Sequence, residues 1–415
     1  MRRTATPGYR LRCTVCGRRP AADAPQPRCD CEAGGPLAVE PDLDAARSTL
    51  TAESLGTRPA NLMRHRELLP FLGGEPSLMP IVTPVVEAPG LAAELELDSL
   101  LVKDEGCQPS GSLKARPSAI AASRAAELGF EEIACASSGN AAISLAAMAA
   151  AHGLRATVFV PERIPRMKLA QLQVYGPRVV LVDGPYEDAY ALCESACREF
   201  GWYNRNCAQD PFLVEGKKTC GLEIAEQTAS RPPDWVAVPV GDGCTITGIW
   251  KGLSELAAVG LAPGSPRMLG VQASGASAVR DAWSEDRPLA EVETRYPLAA
   301  TVADSIAVTH PHNGGRALES IRASDGAMVA VSDEMLGQAV LDLAASGVLV
   351  EPASASTLAG VRAARADGTI ESGARVVVVG TGSGLKNLDY ASGLMKEPGR
   401  PVEPTLEALR DRLAV

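Results

Sequence analysis

Short apolar runs alternate with helix-like segments from Leu101 onwards, and this alternation limits the possible folds more than any other feature of the sequence. The apolar runs that we interpret as strands are Ile133–Ala136, Ala156–Val160, Val179–Val182, Trp235–Val240, Met268–Gln272, Met328–Val331 and Val376–Gly380. The segments with a helical pattern are 115–128, 140–152, 166–175, 215–228, 246–258, 334–346 and 355–366. Because strands that alternate with helices at this spacing form parallel βαβ units, the pattern predicts an α/β fold with two doubly wound parallel-sheet domains.

Length and composition agree with such an architecture. A chain of 415 residues is too long for one simple core, so we expect two domains and a small appendage. The net charge is -10 and the basic runs are short, so we expect no nucleic-acid partner. No apolar run approaches the roughly 18 residues that a membrane span needs. Arg2-Arg3 is not followed by the hydrophobic segment of an export signal, so we expect a cytoplasmic protein.

Four cysteines near the N-terminus have a metal-binding pattern. Cys13 and Cys16 form a Cys-x-x-Cys knuckle followed by Gly17, and Cys29 and Cys31 follow a Pro/Ala spacer. The second pair is closer than usual, and an unmetallated loop with reduced thiols is the alternative. We expect a structural zinc without a catalytic role, since the four thiolates would fill every ligand position. The remaining cysteines are scattered as free thiols of a reducing compartment would be: Cys107, Cys135, Cys193, Cys197, Cys207, Cys220 and Cys244.

Lys114 ends a run of small and polar residues and begins the helix-like segment Ala115 to Leu128. Backbone N–H groups point outward at a helix start, and the helix dipole favours negative charge there, so this lysine is well placed to hold an anionic cofactor. Such a lysine can also form a Schiff base with pyridoxal phosphate. An ordinary exposed lysine at a helix start is the alternative.

A second stretch, Cys135-Ala-Ser-Ser-Gly-Asn140, also follows a strand and begins a helix. With the segment Lys103 to Arg116, it resembles the fold type II (tryptophan synthase β-like) pyridoxal-phosphate enzymes. The similarity is greatest to the threonine synthase family, whose pattern KDEG-NPTGSFKAR…ASSGN is nearly repeated. This resemblance extends from about Tyr9 to Lys386 and implies that the cofactor lies in the cleft between two domains.

The resemblance also implies a division of the chain and a homodimer. The segments are a cysteine-bearing, zinc-ribbon-like part at 1–37, a large cofactor-binding α/β domain at 38–104 and 206–395, a small α/β domain at 105–205, and a C-terminal tail at 396–415.

A Gly-rich loop within Val238–Gly248 lies between a strand and a helix, about 130 residues after the lysine. Small residues let backbone N–H groups close around a phosphate. The resemblance implies that this loop cradles the cofactor phosphate, and a plain strand-to-helix turn is the alternative. An anion beside a phosphate is unfavourable, so we expect the Asp242 side chain to point away from the ligand. The cradle residues are Gly241, Asp242, Gly243, Cys244 and Thr245.

Further cofactor contacts follow from the resemblance alone. Lys114 would carry the cofactor and act as the base at Cα, and Asn140 would hydrogen-bond the ring hydroxyl. Gly380–Lys386 resembles the family's TGHGLK, so Thr381 would contact the pyridine nitrogen, unless this loop is only a surface turn. Glu351, in a match to EPASA, would line the cleft or cap a helix.

The resemblance places the substrate carboxylate at Ser137, Ser138 and Gly139, where simple helix capping is the alternative for the two serines. Lys168 matches a family lysine and would bind an anionic group, or would be a solvated helix lysine.

Four substrate-side positions depart from the family pattern: the 79–83 segment, Leu213 in place of an arginine, Asp242, and Ser383 in place of a histidine. The expected activity is therefore threonine synthase-like, with elimination of phosphate from O-phosphohomoserine and addition of water to give L-threonine. The alternative is β-elimination or β-replacement on another phospho- or hydroxy-amino acid, as in cysteate synthase or serine/threonine dehydratase. A non-catalytic effector-binding α/β protein is the third hypothesis, which Lys114, Asn140 and Thr381 argue against.

Overall fold

The computed structural model describes residues 8–22, 28–32, 34–71, 74–162, 164, 166–293, 295–296, 300–395 and 401–413. The strands are β1 Tyr9–Cys13, β2 Leu37–Pro41, β3 Val85–Glu87, β4 Ser99–Asp104, β5 Glu132–Ala136, β6 Arg155–Pro161, β7 Arg178–Val182, β8 Tyr203–Asn204, β9 Trp235–Pro239, β10 Arg267–Ala273, β11 Ala327–Val331 and β12 Arg375–Gly380. The helices are α1 Leu43–Thr49, α2 Ala52–Thr57, α3 Pro89–Glu94, α4 Ala115–Glu127, α5 Asn140–His152, α6 Arg166–Val174, α7 Tyr186–Phe200, α8 Phe212–Gln227, α9 Cys244–Ala258, α10 Ala278–Ser284, α11 Leu289–Glu293, α12 Gly314–Ala323, α13 Asp333–Ala345, α14 Pro352–Ala366, α15 Leu388–Gly393 and α16 Leu406–Leu413.

The larger sheet has the strand order β11-β10-β9-β12-β4-β3, and its pairs are parallel except β3 with β4. Its central strand β12 carries the run Val376–Val379, which is fully buried because helices cover both faces. Helices α13 and α14 pack on one face, and α8, α9 and α12 pack on the other. The sheet is therefore doubly wound, as the sequence predicts.

The smaller sheet is wholly parallel in the order β7-β6-β5-β8. Helices α4 and α5 cover one face and α7 covers the other. The chain passes from the larger sheet into the smaller one after β4 and returns through α8. Each predicted strand and helix has a counterpart within a few residues, and the α/β prediction with two doubly wound parallel sheets is confirmed.

An antiparallel hairpin, β1 with β2, forms the small N-terminal appendage. Strand β2 runs from Leu37 to Pro41 and so crosses the predicted boundary at residue 37. The Tyr9 ring meets the Phe212 ring edge-on at 5.9 Å, and the Arg124 guanidinium lies 3.8 Å from the centre of the same Phe212 ring. The hairpin is therefore docked on the start of α8. Parts of the predicted ribbon (1–7, 23–27 and 33) and of the predicted tail (396–400 and 414–415) lie outside the described residues.

Candidate active site

The loop before Lys114 is held against the end of β12. Leu113 N donates to Thr381 O at 2.9 Å, and Ser383 N donates to Gly111 O at 3.1 Å. Gly111 has a φ of +70°, which suits glycine, so the chain can turn there and bring Lys114 to the first turn of α4. Lys114 and Thr381 thus come together although 267 residues separate them (381 − 114).

A cavity of about 70 Å³ opens where strands of both sheets end at their carboxyl termini, the usual ligand position in open α/β sheets. The structure brings every predicted cofactor-binding residue to the wall of this one cavity. The predicted residues among its lining are Lys114, Asn140, Gly241, Asp242, Gly243, Cys244, Thr245, Thr381 and Glu351.

The Gly-rich loop has the shape of an anion cradle. Gly243 has a φ of +93°, and a Cβ on it would lie 2.7 Å from the Asn313 carbonyl oxygen. A Cβ on Gly241 would approach the Ile306 Cα to 3.2 Å. Helix α9 begins at Cys244, so its first amides have no intrahelical acceptor and remain for a ligand, with the helix dipole behind them.

Asp242 is among the residues that line the cavity, and its carboxyl interacts with Cys207. Burial and the neighbouring Cys207 raise the pKa of this carboxyl to about 7. A neutral Asp242 removes the repulsion toward a phosphate that motivated the expectation, since only the ionised form is an anion. Lys217 also lines the cavity and adds a positive charge.

The groups around Lys114 set its protonation. Burial, followed by the charge of Lys217, lowers the pKa of the Lys114 amine. Glu351 accepts two hydrogen bonds of 2.9 Å from the Asn140 amide, and its charge opposes this lowering. The Thr381 hydroxyl is 3.0 Å from the Ser354 hydroxyl, which fixes its direction. A neutral amine near neutral pH can serve as a nucleophile and as a base.

Two further lysines lie close enough to Glu351 to feel its charge. Lys168, on α6, forms an ion pair with Asp304, and burial lowers its pKa. The Lys386 Nζ is buried and has no hydrogen-bond partner within the described residues. Burial lowers the pKa of Lys386 to about 8, and the charges of Lys168 and Lys114 act in the same direction. Lys386 is therefore the lysine of this group whose amine is buried without a hydrogen-bond partner among the described residues.

The predicted carboxylate site lies at the start of α5, next to Asn140, although its residues do not line the cavity itself. Gly139 is the N-cap residue and has no side-chain cap. The Ser137 hydroxyl accepts from Gly139 N at 3.2 Å and is half-buried. Neither serine caps the helix, so the amides of its first turn have no side-chain acceptor.

The four departures occupy different environments. Leu213 is fully buried in the core beside the smaller sheet and does not line the cavity. Thr83, in the 79–83 segment, is buried and donates to Glu105 at 2.6 Å. Ser383 caps a short 3-10 turn through Leu385 N at 3.3 Å. Asp242 alone among them lies on the wall of the cavity.

Sequence reasoning missed three residues at this site: Lys217, Cys207 and Lys386. The first had a signal, because Lys217 lies in the same segment as Leu213, which stands in place of the family arginine. A positive charge is thus absent at 213 and present at 217. Cys207 carries no local motif, and only the fold brings it to the cavity.

The four N-terminal cysteines form a compact cluster whose sulfur atoms all lie within 4.8 Å of one another. The Cys13–Cys31 and Cys16–Cys29 sulfur distances are 4.0 and 3.7 Å. Four thiolates at about 2.3 Å from a tetrahedral zinc would be roughly 3.8 Å apart, so this donor set fits a structural zinc. The Cys16 amide is the main cause that lowers the pKa of Cys13 to about 6, which favours the thiolate that binds metal.

The family profile described as pyridoxal-phosphate dependent enzyme matches residues 77–382, so the chain belongs to this family of cofactor-dependent enzymes. Its curated relatives include the threonine synthase of Methanocaldococcus jannaschii, 37% identical over 93% of this chain and 95% of that protein. The threonine synthase of Methanosarcina acetivorans is 33% identical over 98% of both chains. The chain is therefore threonine synthase-like, and the predicted class of enzyme and its cofactor are confirmed.

Solved structures share the fold at lower identity. The fungal L-serine ammonia-lyase from Rhizomucor miehei has a TM-score of 0.64 and 23% identity over 76% of this chain and 99% of that chain. Among the described residues, no helix combines the length and apolar character that crossing a membrane requires.

The cavity suits pyridoxal phosphate on its own geometry. Glycine positions that a Cβ would fill, free amides at a helix start and Lys217 form an anion cradle at one end. The Lys114 amine, whose pKa is lowered, lies on the same wall and could react with the aldehyde. The Thr381 hydroxyl and the Asn140 amide could contact the ring. These donors match the charged and neutral parts of the cofactor.

Proposed function

We propose that this chain converts O-phosphohomoserine to L-threonine by eliminating phosphate and adding water, with pyridoxal phosphate bound at Lys114. The relatives that match nearly the whole chain are threonine synthases. The single observation that carries the choice of an anionic substrate is the buried Lys386 ammonium, which has no hydrogen-bond partner within the described residues.

The cofactor would supply an electron sink for charge that develops at Cα of the substrate. Lys114 would be the base for the Cα proton, and the lowering of its pKa favours the neutral amine. Thr381 would offer a hydroxyl to the pyridine nitrogen, and such a neutral partner would favour elimination and replacement over transamination. Glu351 accepts from the Asn140 amide at 2.9 Å and so fixes this side chain, which would contact the ring.

The substrate would be held at its two anionic ends. The amides at the start of α5, behind Ser137, Ser138 and Gly139, suit the carboxylate. Lys386 and Lys168 suit the phosphate, because each is largely buried and has a pKa lowered by burial, so an anion nearby would stabilise its charged form. The two lysines would supply the positive charge that the family arginine provides, since position 213 is a leucine in this chain.

β-Elimination or β-replacement on another amino acid is the second candidate. The observation that favours it is Leu213, since the family arginine that would bind a phosphate as a bidentate ligand is absent and the two lysines bind as point charges. A shorter β-substituted substrate would carry its leaving group nearer the ring and farther from Lys386.

A visible absorption titration of the cofactor-loaded protein separates the two candidates. O-phosphohomoserine, O-phosphoserine, serine and threonine are added in turn, and products are identified by mass spectrometry. The proposal expects a band shift with O-phosphohomoserine together with threonine and free phosphate, and a Lys114→Ala variant that forms neither. A shift only with a β-substituted amino acid would overturn the threonine synthase assignment and leave the family assignment intact.

Two lesser proposals are a homodimer, which the family resemblance implies, and a cytoplasmic location, which the sequence suggests. Sedimentation at several protein concentrations tests the first, and cell fractionation tests the second.

A further inference from the structure

Two thiols meet at the floor of the phosphate cradle. The sulfur atoms of Cys207 and Cys244 are 3.4 Å apart, and both residues line the cavity. Cys207 lies in the loop between β8 and α8, whereas Cys244 is the first residue of α9. The pair therefore joins the smaller-sheet side of the cleft to the loop that we assign to the cofactor phosphate.

The surroundings divide this pair into a thiolate and a thiol. The hydrogen bond from Cys207, followed in effect by the charge of Lys217, lowers the pKa of Cys244 to about 6. The same hydrogen bond and burial raise the pKa of Cys207. Lys217 Nζ is 3.9 Å from the Cys207 sulfur and supplies positive charge to both. A thiolate beside a resolving thiol is the arrangement of redox-reactive cysteines.

We propose that Cys207 and Cys244 are a peroxide-reactive pair that closes to a disulfide when no phosphate group fills the cradle. A disulfide needs a sulfur separation of about 2.05 Å, so the two atoms must approach by roughly 1.4 Å. Cys244 lies at the first position of a helix and Cys207 lies in a loop, so the loop can supply this movement. The inference rests on the proposed cofactor site only for the role of the phosphate.

The reaction balances with hydrogen peroxide as the oxidant. The Cys244 thiolate attacks one peroxide oxygen, the O–O bond breaks, and hydroxide leaves, which gives a sulfenic acid. The Cys207 thiol then displaces water from that sulfur and forms the S–S bond. Two thiols and one peroxide thus give one disulfide and two waters. Hydrogen peroxide is small enough to enter this cavity.

Cofactor phosphate should protect the pair for two reasons. The dianion fills the space through which peroxide arrives. Its charge also disfavours the Cys244 thiolate, which is the reactive form. Reactivity is thereby coupled to cofactor occupancy.

The experiment treats cofactor-free protein with hydrogen peroxide and follows each cysteine by peptide mass mapping after alkylation. We expect a cross-linked peptide pair that contains Cys207 and Cys244 and is reversed by dithiothreitol. In protein loaded with pyridoxal phosphate the disulfide should form more slowly, by about tenfold or more, because a smaller fraction of Cys244 is the thiolate. The buried pair Cys193 and Cys197, on α7 in the core of the smaller sheet, is the internal control and should remain reduced.

Two variants identify the attacking sulfur. In Cys207→Ser, the sulfenic acid on Cys244 has no resolving thiol and should be trapped by dimedone, whereas Cys244→Ser should give no dimedone adduct at Cys207. Circular dichroism and cofactor absorbance verify that each variant is folded. Equal oxidation rates with and without cofactor, or oxidation no faster than that of the control pair, would overturn the proposal. Absence of O-phosphohomoserine turnover would contradict the proposed function but not this proposal, because the experiment measures oxidation of the thiols.

Discussion

Two clusters of charge, one in the core and one in the cleft, are built in different ways. In the core network, defined here as Lys103, Glu105, Arg116 and Glu223, two cations face two anions, and all four are buried. In the cleft, the charge of Glu351 acts on Lys114, Lys168 and Lys386. Lys168 also pairs with Asp304, whereas the Lys386 Nζ has no hydrogen-bond partner within the described residues. The contrast separates charges that hold the fold from charges that await a ligand.

The core network is saturated with hydrogen bonds. The Arg116 guanidinium donates to both oxygens of Glu105 at 2.6 and 2.7 Å and to Glu223 at 2.5 and 2.7 Å. Lys103 Nζ donates to Glu223 at 2.6 Å and to Thr83 O at 2.8 Å. Burial would raise the pKa of Glu105, but the charge and hydrogen bonds of Arg116, together with Lys103 and Thr83, outweigh burial and hold this pKa below its usual value. The network therefore ties β4, α4 and α8 together beneath the Lys114 loop.

The cleft shows the reverse balance. Burial lowers the pKa of Lys114, Lys168 and Lys386, and Glu351 offsets only part of this effect. Burying lysine ammonium groups is unfavourable, so such groups are expected where an anionic ligand neutralises their charge.

The largest effect should come from breaking the core network. Arg116→Met leaves Glu105 without its nearest counter-charge, and we expect the free energy of unfolding to fall by about 3–5 kcal/mol. Denaturant titration of the cofactor-free protein measures this change. The matched control is Arg322→Met, since Arg322 pairs with Asp286 at 2.9 Å with side chains 52% and 92% exposed. Its loss should cost less than about 1 kcal/mol. Equal costs would remove the distinction between the two kinds of charge.

A smaller effect, of a different kind, should follow from Lys386→Met. The free energy of unfolding should stay the same or rise, because an ammonium without a hydrogen-bond partner within the described residues leaves the buried site. Affinity for O-phosphohomoserine should fall by roughly 1.5–3 kcal/mol, the value of a hydrogen bond to a charged group. The absorption titration gives the affinity, and Lys386→Arg is the charge-conserving control. Lower stability with unchanged affinity would assign Lys386 to the fold instead.

The comparison also explains what the sequence could predict. The periodicity of helices and strands predicted α4, α5, α9 and β12 within a few residues. Local motifs identified the cofactor residues that the fold then brings to one cavity. Helix α7 was missed although its buried residues, among them Tyr190, Cys193 and Cys197, repeat at helical spacing. Lys386 and Cys207 were missed because their roles depend on contacts across the fold that no local pattern encodes.

The smallest effect concerns Asp242, the one anion that sequence reasoning expected to turn away. Its pKa is raised to about 7, so the protonated fraction falls as pH rises through 7, and the resulting charge repels a phosphate. We expect affinity for pyridoxine 5'-phosphate, which lacks the aldehyde that reacts with Lys114, to fall by roughly 1 kcal/mol from pH 6.5 to 8.5. Fluorescence titration measures it. Cys207, His312 and Lys217 also act on this carboxyl, so Asp242→Asn is the necessary comparison. The variant should bind at high pH as the wild type does at low pH, and an unchanged slope in the variant would assign the pH dependence to Cys244 or to the ligand.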